Sequence, residues 1–335
     1  MSMDIPERYT ALVAHEKDGR FVQSVEQIAT SDLPDHDVMI NVKYSSLNYK
    51  DALSANGNKD VTKSYPFTPG IDAAGIVVKS RDERYRAGDK VIVTSYDLGM
   101  NTPGGFGQFI SVPGNWIVPL PNGLTLKESM IIGTSGLTAA IGVEKIVKQG
   151  VPPYSGELLV TGATGGVGSF AVGLLSQLGY RVVAATGKLD QTDFLKTLGA
   201  GKVIHRNQIT DVPNRPMLSA KWSASVETVG GEMLDAVIRQ TEHNGVVTCC
   251  GNVLGHEFHT NVFPFILRGV SLMGIDSGIA LMSDRLRIWN LLATDWKPRF
   301  LELICREVKL TNLPGEIEKI DNGKQVGTVL VSLPD

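Results

Sequence analysis

The stretch from Glu157 to Gly168 reads ELLVTGATGGVG and decides the fold of this 335-residue chain. A short apolar run turns at small residues and enters the periodic stretch SFAVGLLSQLG, which predicts a strand, a glycine turn and a helix. Small residues let the backbone turn tightly, let a pyrophosphate approach the main chain and let the helix pack on its strand. The residues expected at the phosphates are Thr164, Gly165, Gly166, Val167 and Gly168.

The flanks favour a dinucleotide site over an ordinary strand-to-helix turn that uses small residues only for packing. A second strand, Arg181 to Ala185, follows the helix at once, and strands alternate with helices from about Leu126 to Thr294. This rhythm predicts an α/β fold with a Rossmann doubly wound parallel sheet. The proline-broken link NQITDVPNRPML is expected to hold at most a short helix. The predicted strands are LLVTG, RVVAA, KVIH, SASVET, GVVTCCG and SLMGID.

The rest of the chain has the pattern of short strands. Valine and isoleucine alternate with polar residues up to about Leu126, with Gly-Asp and Pro-Gly turns between, which predicts a mostly antiparallel β domain. The C-terminal QVGTVLVSLP returns to this pattern and is expected to rejoin that domain. We therefore predict a β-rich catalytic domain at 1–126 and 295–335, and a dinucleotide-binding domain at 127–294.

The residues after the second strand of the parallel sheet select the cofactor. A site for NAD usually places Asp or Glu there to bind the ribose 2′-hydroxyl, whereas this chain has Thr186, Gly187 and Lys188. A hydroxyl, a backbone N–H and an ammonium would hold a 2′-phosphate, and Arg206 after the third strand is placed to reach it, unless it is a solvated loop arginine. Asp190 comes too late for NAD and is interpreted as a helix N-cap. The predicted cofactor is NADPH.

Composition excludes several classes of partner. The net charge of −3 is spread without long runs, so neither nucleic acid nor an anionic membrane is an expected partner. Three cysteines, with Cys249 and Cys250 adjacent, fit a reducing compartment. The start MSMDIPERYT has no apolar core of a signal peptide, and no apolar stretch reaches membrane-spanning length by inspection. We expect a cytoplasmic protein.

A β-rich half joined to a dinucleotide fold resembles the medium-chain dehydrogenase/reductase superfamily over nearly the whole chain. In that superfamily the β-rich domain is GroES-like and catalytic. The combination of NYKD with FPFILRG and GIDS resembles one branch, the acryloyl-CoA reductase group, and the C-terminal Val326-Gly327-Thr328 departs from it in lacking a cation after the glycine. The segments that carry the resemblance are SSLNYKD (45–51), PGIDAAG (69–75), GDKV (88–91), GTSGLTAA (133–140), VTGATGGVG and FPFILRGVSLMGIDS (263–277).

The same resemblance excludes a metal. Zinc alcohol dehydrogenases of the superfamily carry G-H-E-x-x-G where this chain has GIDAAG, and Ile71 cannot ligate zinc. The segment GHEFH (255–259) has H-E-x-H rather than H-E-x-x-H spacing, so its two histidines would not share a helix face. Without a Lewis acid, reduction of a polarised double bond by NADPH is the expected chemistry, with acryloyl-CoA reduced to propionyl-CoA.

That chemistry needs a group beside the nicotinamide that orients the reactants or donates a proton. The resemblance places Tyr49 there, with Asn48 grouped with it as catalytic. The alternative for Tyr49 is a packed aromatic residue at a strand end. Tyr65 is a rival donor. Asp51 is expected to hold the loop together through backbone N–H groups.

Four further residues complete the predicted cofactor site. The resemblance implies nicotinamide-side contacts for Thr138 and Ile266, where helical bonding and core packing are the alternatives. Asn252 and Ser277 follow the fifth and sixth strands, at the edge where doubly wound sheets bind ligands.

The acyl carrier is the open point. Coenzyme A carries phosphates that need cations, and an apolar cleft poor in hydroxyls would instead take a quinone or a free enone. A protein that binds NADPH as a sensor, without turnover, is the alternative outside enzymes. The edge strand SLMGID predicts sheet pairing between subunits, hence a homodimer. The candidate cations are Lys59, Lys63, Arg268, Arg285 and Arg287.

Overall fold

The computed structural model describes residues 5–334. The strands, in chain order, are β1 (Arg8–Lys17), β2 (Arg20–Ala29), β3 (Val38–Leu47), β4 (Asp72–Ser80), β5 (Lys90–Thr94), β6 (Phe109–Val112), β7 (Ile117–Pro119), β8 (Glu157–Val160), β9 (Arg181–Thr186), β10 (Lys202–His205), β11 (Trp222–Glu227), β12 (Thr241–Cys249), β13 (Ser271–Gly274), β14 (Cys305–Lys309) and β15 (Thr328–Ser332). The α-helices are α1 (Tyr49–Ala55), α2 (Leu126–Lys148), α3 (Gly166–Gln177), α4 (Thr192–Thr197), α5 (Asn207–Thr210), α6 (Gly231–Gln240), α7 (Phe263–Arg268), α8 (Met282–Ala293), α9 (Leu301–Ile304) and α10 (Leu313–Asp321).

The chain divides into two compact units. The β-rich unit comprises residues 5–134, 278–294 and 305–334, and the parallel-sheet unit comprises 135–277 and 295–304. The predicted boundaries differ from this division around α8 and α9. The α8 residue Arg285 donates to the carbonyl and hydroxyl of Thr94, whereas the Phe300 ring packs edge-on against Phe170, with 5.3 Å between centroids.

The parallel-sheet unit has the strand order β10-β9-β8-β11-β12-β13, which is the Rossmann order 3-2-1-4-5-6 counted from β8. All its strand pairs are parallel. Leu158, Leu159 and Val160 on β8 are fully buried, as expected for a strand covered on both faces. The prediction of a doubly wound sheet is confirmed, and the proline-broken link holds only the one-turn helix α5.

The β-rich unit is mostly antiparallel, as predicted. Its main sheet has the order β14-β15-β3-β4-β5-β7, with β6 also pairing with β3, and β1 and β2 form a separate hairpin. The C-terminal β15 pairs with β3 and so rejoins this unit as predicted. The sequence analysis missed β2, although Asp18 and Gly19 have φ values of 51° and 72°, the left-handed pair that a two-residue hairpin turn requires.

The helix α2 carries the chain from one unit to the other. Its 23 residues, with a mean hydropathy of 1.4 in the most apolar window, meet the length and composition of a membrane span, so the expectation that no stretch does so is wrong. Because 72% of that window is buried inside the structure, α2 matches the core helix of a folded domain, which passes the same test. Gly133 interrupts it with a φ of 50° and a ψ of −161°.

Candidate functional site

The glycine turn joins β8 to α3 at the carboxyl edge of the parallel sheet. Gly162 has a φ of 54°, in the left-handed region, and its carbonyl oxygen accepts the Gly165 N–H at 3.0 Å. A Cβ on Gly168 would lie 2.2 Å from that same oxygen, so only glycine lets α3 pack this close to the turn. The structure therefore shows the tight turn and close helix approach that the sequence predicts. The first turn of α3 supplies the backbone N–H groups that suit an anion.

The end of β9 brings together the residues predicted to select the cofactor. Thr186 is buried, and its hydroxyl oxygen accepts the Lys188 backbone N–H at 3.0 Å and lies 3.3 Å from the Thr164 hydroxyl. Arg206 follows β10, which pairs with β9, and its Nε would lie 3.2 Å from a Cβ on Gly187. The chain therefore places a guanidinium beside the Thr186–Lys188 turn.

Lys188 is half-buried, and burial lowers the pKa of its ammonium while the charge of Asp190 opposes that shift. A bound anion would favour the charged form in the same way. The interpretation of Asp190 as a helix N-cap is wrong. It lies in a single 3-10 turn, and Gln191 is the residue before α4, with no side-chain cap bond.

Thr138 and Ser277 meet in the structure. The Thr138 side chain lies on α2, Ser277 follows β13, and their hydroxyl oxygens are 2.6 Å apart. The two residues were predicted from separate stretches of sequence, so their contact places both hydroxyls at one point beyond the carboxyl ends of β12 and β13. Their contact with a nicotinamide stays a prediction.

Asn252 and Ile266 are both accessible from solvent. Asn252 lies in the loop after β12, where its carbonyl accepts the Gly255 N–H at 3.0 Å. Ile266 lies on α7 and is 67% exposed, so the core role that periodicity predicted is wrong. An apolar side chain this exposed is available for a ligand or another protein surface. The segment GHEFH lies in the exposed loop before α7 and on no helix.

Sequence reasoning missed Glu227, the last residue of β11. Its carboxylate is fully buried and accepts the N–H groups of Val229 and Gly230 at 2.8 and 3.0 Å and the Thr161 hydroxyl at 3.1 Å. Burial raises its pKa, and the three donors oppose that shift. The Glu227 carboxylate therefore holds the loops after β8 and β11 together by hydrogen bonds, at the point where the strand order reverses. The sequence signal that could have identified Glu227 is an acidic residue at the end of the apolar strand segment SASVET.

In the β-rich unit, Tyr49 is the first residue of α1. It is 47% exposed, and its phenol makes no hydrogen bond to any residue between 5 and 334. Asn48 precedes it and is buried, with its amide donating to Asp72 Oδ2 at 2.8 Å and to the Ser46 carbonyl at 3.3 Å. The phenol of Tyr49 is thus available to a ligand, whereas the Asn48 amide is held inward. Both catalytic assignments stay predictions.

Asp51 holds the loop together as predicted. Its two oxygens accept the backbone N–H groups of Asn48 at 2.7 Å and Ile71 at 2.8 Å. Complete burial, aided by the charge of Asp72, raises the pKa of Asp51 to about 7. The rival donor Tyr65 instead gives its hydroxyl proton to the Ser54 carbonyl at 2.5 Å, so that phenol serves local structure.

Two of the cations expected for coenzyme A are structural, and their prediction is wrong. The Arg268 guanidinium donates to the carbonyls of Leu218, Arg239 and Thr241. Arg285 is fully buried, and it donates to Thr94 and lies 4.5 Å from the centroid of the Tyr96 ring. Neither guanidinium is placed to meet a phosphate in solvent.

The other three candidate cations are exposed to different degrees. Lys59 pairs with Glu16 at 2.8 Å, and Arg287 pairs with Asp284 at 2.7 Å. Lys63 is an exposed loop residue. Ion pairs between exposed side chains such as these contribute little to stability.

The residues at GIDAAG do not fit a zinc ion. Ile71 is apolar and 2% exposed, and both oxygens of Asp72 are taken by hydrogen-bond donors. Across residues 5–334 no group of three His, Cys, Asp or Glu residues is arranged to hold a metal.

Two family models match the chain. The alcohol dehydrogenase GroES-like domain matches residues 34–122, and the zinc-binding dehydrogenase family matches residues 166–288. The first lies in the β-rich unit, and the second covers most of the parallel sheet, including α3 and the end of β9.

Curated relatives and solved structures match over nearly the full length. The acrylyl-CoA reductase AcuI of Ruegeria pomeroyi is 40% identical over 327 residues, covering 97% of this chain and 99% of that protein. Bacillus subtilis YhfP, whose name assigns it provisionally to the quinone oxidoreductases, is 43% identical over 97% of this chain and 99% of its own. Its structure with NAD bound superposes with a TM-score of 0.94 and covers 98% of this chain and all of its own. The YhdH oxidoreductase from Salmonella enterica, in complex with NADP, is 39% identical with a TM-score of 0.94, covering 97% of this chain and all of its own.

Proposed function

Because the chain belongs to the medium-chain dehydrogenase/reductase superfamily, and within it to the acryloyl-CoA reductase group, we propose that it reduces the activated C=C bond of a 2-enoyl thioester with NADPH. The substrate that fits best is acryloyl-CoA, which would give propionyl-CoA. The observation that carries this proposal is the 40% identity to AcuI along 97% of the chain. The local structure at β9 independently supports the cofactor.

The end of β9 favours NADPH over NADH. Lys188 and Arg206 supply two cations, and the strand ends in a hydroxyl residue, Thr186, rather than in the carboxylate that a ribose 2′-hydroxyl attracts. A 2′-phosphate would gain charge-assisted hydrogen bonds there. YhdH with NADP supports this choice, and YhfP with NAD makes cofactor preference the first property to measure.

The reaction adds a hydride to the β-carbon and a proton to the α-carbon of the enoyl thioester. Bound NADPH supplies the hydride. Negative charge then develops on the thioester oxygen, and the protein must stabilise that charge and deliver the proton. The Tyr49 phenol is the candidate for this work, because it is exposed and engages no acceptor among residues 5–334.

Tyr49→Phe is expected to lower kcat on acryloyl-CoA by about 10- to 100-fold, since it removes one hydroxyl that donates in the transition state. The melting temperature should not change, because the phenol makes no internal hydrogen bond. Steady-state kinetics with NADPH in excess measure the effect. Tyr154→Phe, at a residue that is 83% exposed in the parallel-sheet unit, is the control and should match the wild type. Unchanged constants for Tyr49→Phe would make that residue a surface aromatic only.

NADPH absorbance followed with acryloyl-CoA, a simple quinone and a free enone, each repeated with NADH, tests the proposed reaction. Oxidation of NADPH with acryloyl-CoA, far faster than with the other acceptors and far faster than with NADH, is the expected result. Identification of propionyl-CoA by mass spectrometry would establish the product of the reaction. No turnover of any enoyl thioester, despite tight NADPH binding, would contradict the proposal and favour a sensor.

Reduction of quinones is the second candidate, because the name of YhfP points to it and that protein is 43% identical to this chain. The structure removes Arg268 and Arg285 from the cations that would hold coenzyme A, which weakens the case for a thioester relative to a quinone or enone. Turnover with quinone alone in the same assay would assign this activity instead.

We infer further that the protein acts as a homodimer in the cytoplasm. The edge strand β13 pairs only with β12 within the described chain, and its residues are not buried, so its outer edge is open to another strand. Light scattering at assay concentration should give twice the chain mass of 36.1 kDa. A mass of one chain would rule out the dimer.

A further inference from the structure

The carboxylate of Asp72, the first residue of β4, collects four hydrogen bonds while fully buried. Its Oδ2 accepts the Ser46 hydroxyl at 2.6 Å, the Asn48 amide at 2.8 Å and the Thr134 backbone N–H at 2.8 Å. Its Oδ1 accepts the Thr134 hydroxyl at 2.6 Å. Burial raises the pKa of this carboxyl, and the hydrogen bonds from Ser46, Thr134 and Asn48 oppose that shift.

The donors come from three segments: the end of β3, the residue before α1, and the interrupted part of α2. The packing there leaves no free space, since a Cβ on Gly133 would lie 2.4 Å from Ser46 Oγ and 2.8 Å from Asp72 Oδ2. The Thr134 hydroxyl also lies 3.0 Å from the hydroxyl of Ser95. Asp72 therefore sets the relative position of these segments within the β-rich unit.

Asn48 connects this hydrogen-bond network to Tyr49, the residue proposed to act in the reaction. Its amide gives one N–H to Asp72 and the other to the Ser46 carbonyl, so the orientation of its side chain is determined. The next residue is Tyr49, whose phenol has no hydrogen bond of its own within residues 5–334. The direction of that phenol depends on how firmly the start of α1 is held.

We propose that Asp72 is a positioning residue for the reduction, which fixes the Tyr49 phenol by holding the Asn48 amide. The inference rests on the proposed function of Tyr49. By this proposal the Asp72 carboxylate determines the position of the Tyr49 phenol, the candidate proton donor.

Asp72→Asn removes the charge and keeps the shape. The amide oxygen can take the place of Oδ2 with its three donors, and the amide N–H can face the Thr134 hydroxyl, which then donates to Ser95 instead. A neutral amide oxygen holds the Asn48 N–H less firmly than a carboxylate does. We therefore expect folded protein whose kcat on acryloyl-CoA is about tenfold lower, because small misplacements of a reacting group are costly. The Kd for NADPH should not change.

A double-mutant cycle with Tyr49→Phe separates positioning from general damage. If Asp72 acts through the phenol, Asp72→Asn will have no further effect on kcat in the Tyr49→Phe background. If the double variant shows the product of the two single fold-decreases in kcat, the inference is overturned. An Asp72→Asn enzyme with wild-type kcat would overturn it too. Tyr49→Phe alone with full activity would instead overturn the proposed function of Tyr49, and this inference with it.

Asp82→Asn is the matched control. Asp82 also accepts several hydrogen bonds, but all the side-chain donors come from Arg84 two residues away, so kcat should equal that of the wild type. Should Asp72→Asn fail to fold, Asn48→Ala breaks the same link from the other side. Asn48→Ala should lower kcat in the wild-type background and leave it unchanged in the Tyr49→Phe background. Fold-decreases in kcat that multiply in the double variant would contradict a positioning role.

Discussion

Gly168→Ala is expected to destabilise the protein by about 2 to 3 kcal/mol and to abolish tight NADPH binding. The new Cβ would meet the carbonyl oxygen of Gly162 at 2.2 Å and the Cα of Ala163 at 2.8 Å, and both are backbone atoms that cannot rotate away. The helix α3 must then move off the turn, and the N–H groups of its first turn lose their alignment on an anion. Denaturant unfolding and fluorescence titration with NADPH measure the two effects.

Gly165→Ala separates binding from stability at the same turn. A Cβ there would have the Gly162 carbonyl oxygen as its nearest neighbour, at 3.4 Å, which is an ordinary contact. The fold should therefore be retained, while the methyl group would obstruct the backbone approach of a pyrophosphate and weaken NADPH. Wild-type stability for Gly168→Ala would show that α3 adjusts freely, and wild-type NADPH affinity for both variants would place the pyrophosphate elsewhere.

Lys188→Ala is expected to weaken NADPH binding by about 1 to 3 kcal/mol, or about 5- to 150-fold, with little effect on NADH. The side chain is half-buried beside the Thr186–Lys188 turn, so the loss of its ammonium removes a charge-assisted contact to the 2′-phosphate and nothing from a 2′-hydroxyl. Calorimetric titration with each nucleotide at one salt concentration is the measurement.

The position of the cation should matter more than its charge. Lys202→Ala removes an exposed lysine from the amino end of β10, opposite to Arg206, and should leave both nucleotides bound as in the wild type. An equal fall in NADPH and NADH affinity with Lys188→Ala would contradict its role at the phosphate. A loss confined to Arg206→Ala would move that role to the guanidinium.

The parallel sheet could be predicted from sequence because its strands have one simple pattern. Leu158 to Val160 and the valines of β9 are buried on both faces, so they form short apolar runs closed by small or polar residues. The hairpin strand β2 was missed because RFVQSVEQIA is half polar and its residues are mostly half-buried. There the Asp18-Gly19 turn carried more information than hydrophobicity did.

Side-chain roles were predictable where they depend on the backbone and not where they depend on long-range contacts. The close approach at Gly168 and the bond from the Asn48 N–H to Asp51 follow from local sequence. The burial of Arg285 against Thr94, almost 200 residues earlier in the chain, has no local signal. The same holds for Asp72, which bonds Thr134 across 62 positions of the chain.

The donor set of Asp72 also bears on the order of folding. Its hydroxyl and N–H partners at Thr134 are 62 residues away, and that at Ser46 is 26 residues away, so large loops must close before these contacts form. A carboxylate buried before its donors arrive loses solvation without compensation, which raises the free energy of any compact intermediate that traps it. The carboxylate therefore favours intermediates in which the interrupted part of α2, at Gly133 and Thr134, already lies against β3 and β4, and it raises the free energy of wrongly threaded ones. The Asp72 carboxylate, which holds this loop in the native state, thus also disfavours incorrectly folded intermediates during folding.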